Sequence, residues 1–241
     1  MTSEKVEYVG KDLEAMSFAD SYHRWILDLM RPYVGRNIVE VGAGTGSFSE
    51  LLLTTDPDSL TMVEPSEMYD DLCENISARP NIPSVRYHQN IFSNVAPEIA
   101  TSGPPDSIIY INVLEHIEND LDELRVVHRT LKPSGHVIVF VPALPMLFSK
   151  FDRSIGHFRR YTKGELQKKL EDAGFRVKDL RWFDMLGILP WLVKYRLGGS
   201  TSMEAGAVEL YDRVAVPVIR RAESLIKPPV GKNLFAVAEK I

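Results

Sequence analysis

The chain has 241 residues, 44% of them hydrophobic and 25% charged, an ordinary globular composition with room for one large domain or two small ones. Its 28 basic and 33 acidic side chains leave a net charge of −5, which argues against nucleic acid as a partner, because phosphate binding wants a clustered basic excess. One cysteine, Cys73, excludes an internal disulfide and a thiolate metal cluster, and no apolar run reaches the ~18 residues a membrane-spanning helix needs.

The opening segment, MTSEKVEYVGKDLE, is charged and lacks the apolar centre of a secretory signal, so a cytoplasmic setting is expected. Phe18, Tyr22, Trp25, Ile26 and Leu29 recur at helical spacing across residues 17–33. They predict a helix ended by Pro32, within a helical cap of residues 1–34. Residues 35–183 read as strands and helices in alternation. Asn37–Val41 is a short β-branched run, followed at once by Gly42-Ala43-Gly44-Thr45-Gly46 and a helix over 47–54. A second strand, 60–63, leads through Glu64-Pro65-Ser66 into a helix over 67–77, with Ser66 as the expected N-cap. A third strand, 84–89, precedes a loop. Ser107–Ile111 is the fourth strand and Asp120–Thr130 the next helix; Lys132-Pro133-Ser134-Gly135 then turns into a fifth strand, 136–141.

The last third differs. A helix over 163–173, capped by Thr162 and stopped by Gly174, precedes a sixth strand, 176–183. Residues 184–230 form an insert too long for a plain loop, so it must hold its own helices; it contains the apolar stretch 185–199 and a second apolar helix around 208–226. Residues 231–241 supply a seventh, terminal strand. Continuous apolar strands imply burial on both faces. The expected fold is α/β: a doubly wound, seven-stranded, mostly parallel sheet with a helical insert before the last strand.

Chemistry concentrates at the first strand. Glycines allow positive φ and close approach of a ligand to the backbone, and the helix behind them offers free N–H groups. Glu64 follows about 20 residues later at the tip of the second strand, where a carboxylate can accept both hydroxyls of a ribose. A ligand containing a nucleoside is implied. A pyrophosphate loop has the spacing G-x-G-x-x-G; here it is G-x-G-x-G, with Glu40 two residues before the first glycine.

That arrangement resembles the first motif of class I S-adenosylmethionine-dependent methyltransferases. The resemblance implies a Rossmann-like fold and S-adenosylmethionine as methyl donor. The loop Glu40, Gly42, Gly44 and Gly46 would wrap the cofactor, and Glu64 would bind its ribose. Asn90, with Ile91 beside it, stands where the family holds the adenine amino group, usually with Asp. Val113-Leu114-Glu115-His116-Ile117, Leu131-Lys132-Pro133-Ser134-Gly135 and Arg159-Arg160-Tyr161-Thr162 resemble further family segments. In small-molecule members similar to the ubiquinone-type O-methyltransferases, an arginine placed like Arg24 binds the cofactor carboxylate; here it either does so or is a solvated helix residue. Tyr22 either packs over the cofactor or belongs to the core. Those enzymes can hold a divalent cation through E-x-x-E-H, but this chain has Asn112 for the first carboxylate, so no metal is expected. Asn112 reads as a polar contact to cofactor or substrate.

Methyl transfer needs a nucleophile held near the methyl and stripped of any proton. His157 and His116 are the candidate general bases, with His157 favoured because its loop follows the fifth strand on the substrate side. Arg159, Arg160 and Asp152 nearby either bind an anionic substrate or pair with one another. The apolar insert admits three readings: a lid over an apolar substrate, plain packing on the sheet, or peripheral membrane contact through residues 185–196, by way of Trp191, Lys194, Tyr195 and Arg196. The expected activity is methyl transfer to a small, partly apolar molecule at oxygen, by a monomer or homodimer. Alternatives are N- or C-methylation, a non-catalytic binding module, and a nicotinamide-dependent reductase, the last disfavoured by the glycine spacing.

Overall fold

The computed structural model describes residues 19–79 and 84–241; Phe18 and most of the expected N-terminal cap lie outside the described residues. Helix α1 (Asp20–Met30) leads into β1 (Asn37–Val41), α2 (Ser47–Leu53), β2 (Ser59–Val63), α3 (Tyr69–Ser77) and β3 (Ser84–His88). Then come α4 (Phe92–Ser102), β4 (Ser107–Ile111), α5 (Asp120–Thr130) and β5 (His136–Pro142). The short α6 (Lys150–Ser154), α7 (Lys163–Asp172) and β6 (Phe175–Phe183) follow, then the insert and β7 (Asn233–Lys240). The sheet runs β3-β2-β1-β4-β5-β7-β6. Strands β1–β5 pair in parallel, while β7 runs antiparallel to both β5 and β6. This is the doubly wound fold the sequence implies.

Strand geometry sends successive side chains to opposite faces, so each central strand feeds two cores. Val39, Val137 and Val139 join α4, α5 and α7 on one face through Phe92, Leu124 and Leu166. Ile38, Ile138 and Phe140 meet Trp25 and Ile26 of α1 on the other, with Phe183 beside them. Burial on both faces is why these strands lack alternation.

Two local expectations fail. The stretch after β3 is helix α4, not loop. Ser93, Asn94, Pro97 and Thr101 are poor helix formers, and Pro97 sits inside the helix, yet buried Phe92, Val95, Ala96 and Ile99 at helical spacing outweigh them. Ser66 does not cap α3, which begins at Tyr69; its hydroxyl accepts from the Met68 N–H in the preceding turn. Thr162 does cap α7, accepting from the Glu165 N–H at 3.1 Å.

The insert is two broken helices. Helix α8 (Ile188–Trp191) runs on as wider π-wound turns over Leu192–Leu197. Helix α9 (Ala205–Leu210) does the same over Tyr211–Ala215 before resuming at Val216–Leu225. The inward side of α8 carries Trp191 and Tyr195, which pack on Phe151 of α6 at ring distances of 5.6 and 4.8 Å. Asp212 of α9 accepts the Ser21 and Tyr22 N–H groups at the start of α1. A smaller cavity of about 170 Å³ lies under the insert, lined by Tyr22, Trp191, Tyr195 and Tyr211 among others.

Candidate active site

A cleft of about 900 Å³ opens where the loops after β1, β2, β3 and β4 converge. In an open α/β sheet the crevice outside the carboxyl ends of the strands is where ligands bind. Of the residues singled out in the sequence, Glu40, Gly42, Gly44, Glu64, Asn90, Ile91, Asn112 and His116 line it.

The glycine loop is shaped by backbone sterics. Gly42 and Gly44 have φ of +71° and +58°. A Cβ on Gly42 would run into the Val113 side chain, so the loop after β1 and the loop after β4 can touch only through glycine. The Gly44 N–H donates to Glu64 Oε2 at 2.8 Å, and the Ser66 N–H donates to Oε1 at 2.9 Å. The β1 loop and the β2 tip are thus tied by one buried carboxylate. Glu40 lies beneath and accepts from the Ser49 hydroxyl. Burial pushes its carboxyl up to about 8, with the nearby Glu64 charge adding to the shift and Ser49 opposing it. Asn112, at the end of β4, is held at φ +54°, strained backbone of the kind that gathers at functional sites.

The cleft's charge is one-sided. Among the described residues its lining includes Glu40, Glu64, Glu118, Asp122 and Glu123 and no lysine or arginine. Apolar contact comes from Val113, Ile117, Val126 and the half-exposed Phe158.

Several expected site residues lie elsewhere. Arg24 faces solvent on α1 and lines no part of the cleft; one residue along, a 100° turn of the helix, buried His23 lines it instead. Burial lowers His23 to about 4. Tyr22 is a core tyrosine, edge-on to Phe183 at 5.1 Å, with its hydroxyl donating to Asp184. Gly46, at φ +92°, starts α2 against Leu72 and Ile76; it is a packing glycine outside the cleft. Asn90 lines the cleft, but its carbonyl oxygen already accepts from the Ile91 N–H and from Asn94, which leaves its amide NH₂ as the group to meet a ligand. His23, Phe158 and the further acids Glu118, Asp122 and Glu123 were missed, because each needs the cleft to be closed in space before it has a role.

The two histidines separate. His116 lines the cleft, and His157 packs behind it, edge-on at 4.5 Å with a side chain only 7% exposed. His157 Nδ1 bonds Asp152 Oδ1 at 3.1 Å, and that carboxylate also takes the buried Arg160 Nε at 2.8 Å and the Ser149 N–H and hydroxyl. Burial opposes the Asp152 charge, but the His157 bond, Arg160 and Ser149 outweigh it and hold the group down at about 2. Arg160 in turn lies over the Trp191 ring at 4.4 Å, and Arg159 pairs with Asp120. Asp152, Arg159 and Arg160 are therefore spent on internal pairs, and Arg160 also ties the loop to the insert through the Trp191 ring. His116 is lowered to about 3 by burial and by its neighbour His157, against a hydrogen bond with the Gly156 backbone.

Donor atoms of Glu115, His116 and His157 lie within 4.8 Å of one another, a group that could hold a metal ion. Asn112 removes one carboxylate from the expected pattern, but the fold brings in His157 from 41 residues beyond His116 as a third donor, which no local pattern shows. The lid reading of the insert fails on position, since none of the cleft's lining residues comes from 184–230. Among the described residues no helix is long and apolar enough to cross a membrane.

Comparison with known proteins agrees with this geometry. A comparison with curated protein sequences finds no match. The solved structures that are similar include an S-adenosylmethionine-dependent methyltransferase from Archaeoglobus fulgidus, with 19% identity, a TM-score of 0.58 and 95% and 99% of the two chains covered. The N-methyltransferase NodS of Bradyrhizobium japonicum, solved with S-adenosyl-L-homocysteine, gives 14%, 0.58, 92% and 87%. A methyltransferase of Haloferax volcanii, solved in complex with the Trm112 activator, gives 14%, 0.60, 97% and 98%. At these identities the likeness shows the fold. The model of the methyltransferase domain family matches residues 15–180, well over half of the chain, and the chain belongs to that family.

Proposed function

We propose that the chain is an S-adenosylmethionine-dependent methyltransferase acting on a small, partly apolar molecule at a neutral oxygen. The observation that carries the reading is a cleft whose described lining holds five carboxyl groups, Glu40 among them kept protonated by burial, two histidines that burial keeps neutral, and no lysine or arginine. A cationic sulfonium is favoured there, while the pyrophosphate of a nicotinamide cofactor would be repelled. The residues fit the donor: glycine backbone at Gly42 and Gly44 permits close approach, Glu64 is positioned for ribose hydroxyls, and Asn90 and Ile91 border the adenine end. When bound, S-adenosylmethionine supplies a methyl group on positively charged sulfur.

The rest is done by the chain. Val113, Ile117 and Phe158 exclude water and seat the apolar part of the acceptor. His116, which burial keeps neutral at pH 7, accepts a hydrogen bond from the acceptor hydroxyl, orients it and takes its proton as the new C–O bond forms. His157 and Asp152 act through His116 as positioning residues. Positioning of this kind is worth up to ~7–11 kcal/mol in well-oriented reactions, so it suffices as the main source of rate. The acidic lining also suits an amine acceptor, which makes N-methylation the second reading. Calorimetric titration with S-adenosylmethionine and with NADPH, followed by a labelled-methyl screen of hydroxyl and amine acceptors, tests the reading. Tight binding of NADPH, or binding without any turnover, would overturn it.

A further inference from the structure

The structure describes thirteen exposed large apolar side chains, and nine of them fall within residues 186–226 of the insert. Scattered surface apolars are normal, but a concentration of this kind marks an interaction surface. On α8 and its lead-in they are Leu186, Leu189, Val193 and Leu197; on α9 they are Leu210, Val214, Val218 and Leu225, followed by Ile226. Steps of three or four residues, with one of seven from Val218 to Leu225, lay each helical set along one face. Each is between 55% and 86% exposed. The opposite side of the same helices carries Trp191, Tyr195 and Tyr211, which face the small cavity and the rest of the molecule.

We propose that this outer face of the insert docks on anionic lipid bilayers. Two features of this surface choose that occupant. The first is chemistry: all nine exposed side chains are Leu, Val or Ile, whereas protein interfaces draw their anchors from Trp, Tyr and Arg. The insert's aromatics are turned inward, which corrects the expectation that Trp191 and Tyr195 would make the membrane contact. The second is charge. Arg196, Arg213, Arg221 and Lys227 are exposed on the insert, against one exposed acid outside an ion pair, Glu209. The chain as a whole carries −5, so this basic collar around aliphatic stripes is a local reversal. Amphipathic helices with aliphatic and basic surfaces lie in the plane of a bilayer interface, and basic side chains favour anionic lipid.

The test is co-sedimentation of the full chain with vesicles of phosphatidylcholine alone and of phosphatidylcholine with about one-third phosphatidylglycerol. The chain should bind the second far better than the first, and raised salt should weaken binding. Leu189→Glu with Val193→Glu should cut binding roughly tenfold or more, since two aliphatic side chains then oppose the bilayer core. These sites are exposed, so thermal unfolding should be unchanged. Arg213→Glu with Arg221→Glu should abolish the preference for phosphatidylglycerol. Absence of wild-type binding, equal binding to both vesicles, or full binding by the glutamate variants would each overturn the proposal. So would a wild-type dimer that Leu189→Glu dissociates, because a second copy would then occupy the face.

Discussion

The cleft and the insert occupy different parts of the molecule and are built on opposite rules. The cleft is made of short turns whose backbone is fixed by what cannot fit: Gly42 against Val113, and the Gly44 N–H on a buried Glu64. Its groups are close in sequence to the strands that hold them. The insert is made of helices whose inner side is locked by long-range charge and ring contacts, from Asp152 through Arg160 to Trp191, and whose outer side is locked by nothing described. Order in the first region rests on backbone shape, and in the second on which side of each helix is buried.

Removing the lock should give the largest effect. Asp152→Ala leaves the Arg160 guanidinium buried without its carboxylate, a loss of about 3–5 kcal/mol. At ~2–4 °C per kcal/mol for a chain this size, the melting temperature should fall by about 6–20 °C. Scanning calorimetry checks this, and cofactor affinity in the surviving folded protein should change little. A stable Asp152→Ala protein would mean that the insert does not depend on this network.

Gly44→Val tests the other region. A branched residue at φ +58° costs about 1–3 kcal/mol of strain, and its side chain stands where the ligand must approach. Titration should show S-adenosylmethionine affinity down by roughly a hundredfold, a loss of about 2.7 kcal/mol, in a protein that is still folded by circular dichroism. Wild-type affinity would break the assignment of this loop as the cradle. Glu64→Ala should do less, about tenfold, because it removes hydrogen bonds to a charged acceptor worth ~1.5–3 kcal/mol. Should Glu64→Ala prove harmless, the ribose does not sit there.

The smallest effect is on pH dependence. Glu40 is raised in the folded state to about 8 from an ordinary 4.5, so between those values the native chain holds a proton that the unfolded chain has lost. This group's contribution is therefore fully present below about pH 4.5 and lost as pH rises through 8. Glu40→Gln should flatten the fall in stability over that window by some fraction of the ~1.4 kcal/mol per pH unit of one linked proton. Urea unfolding at pH 5, 6.5 and 8 measures the slope, and an unchanged slope would place the proton elsewhere.

Much of the first region was legible. Strand, glycine turn, helix, strand and acid follow one another within 30 residues, and each signal is local: β-branched runs, positive-φ positions, a carboxylate at a strand end. Helix α4 was not legible as one, because its polar residues and Pro97 mask a buried stripe whose partner, the sheet, must already exist. Arg24 and His23 show the limit within a single helix. Periodicity placed the helix, but only packing fixed which of two neighbours turns to the cleft.

By itself, then, the sequence determined the order of the strands, the mostly parallel sheet and the glycine–acid pair, since all of these follow from residue type at short spacing. The tertiary structure decided what depends on distant segments meeting. It put His116 on the cleft wall and His157 behind it, drew Glu115 into reach of both, and spent Arg159 and Arg160 on internal carboxylates. It also turned the insert's aromatics inward and left its aliphatic stripes outside. Burial, and the charge effects that burial amplifies, are properties of the whole packed chain, and no short window of residues contains them.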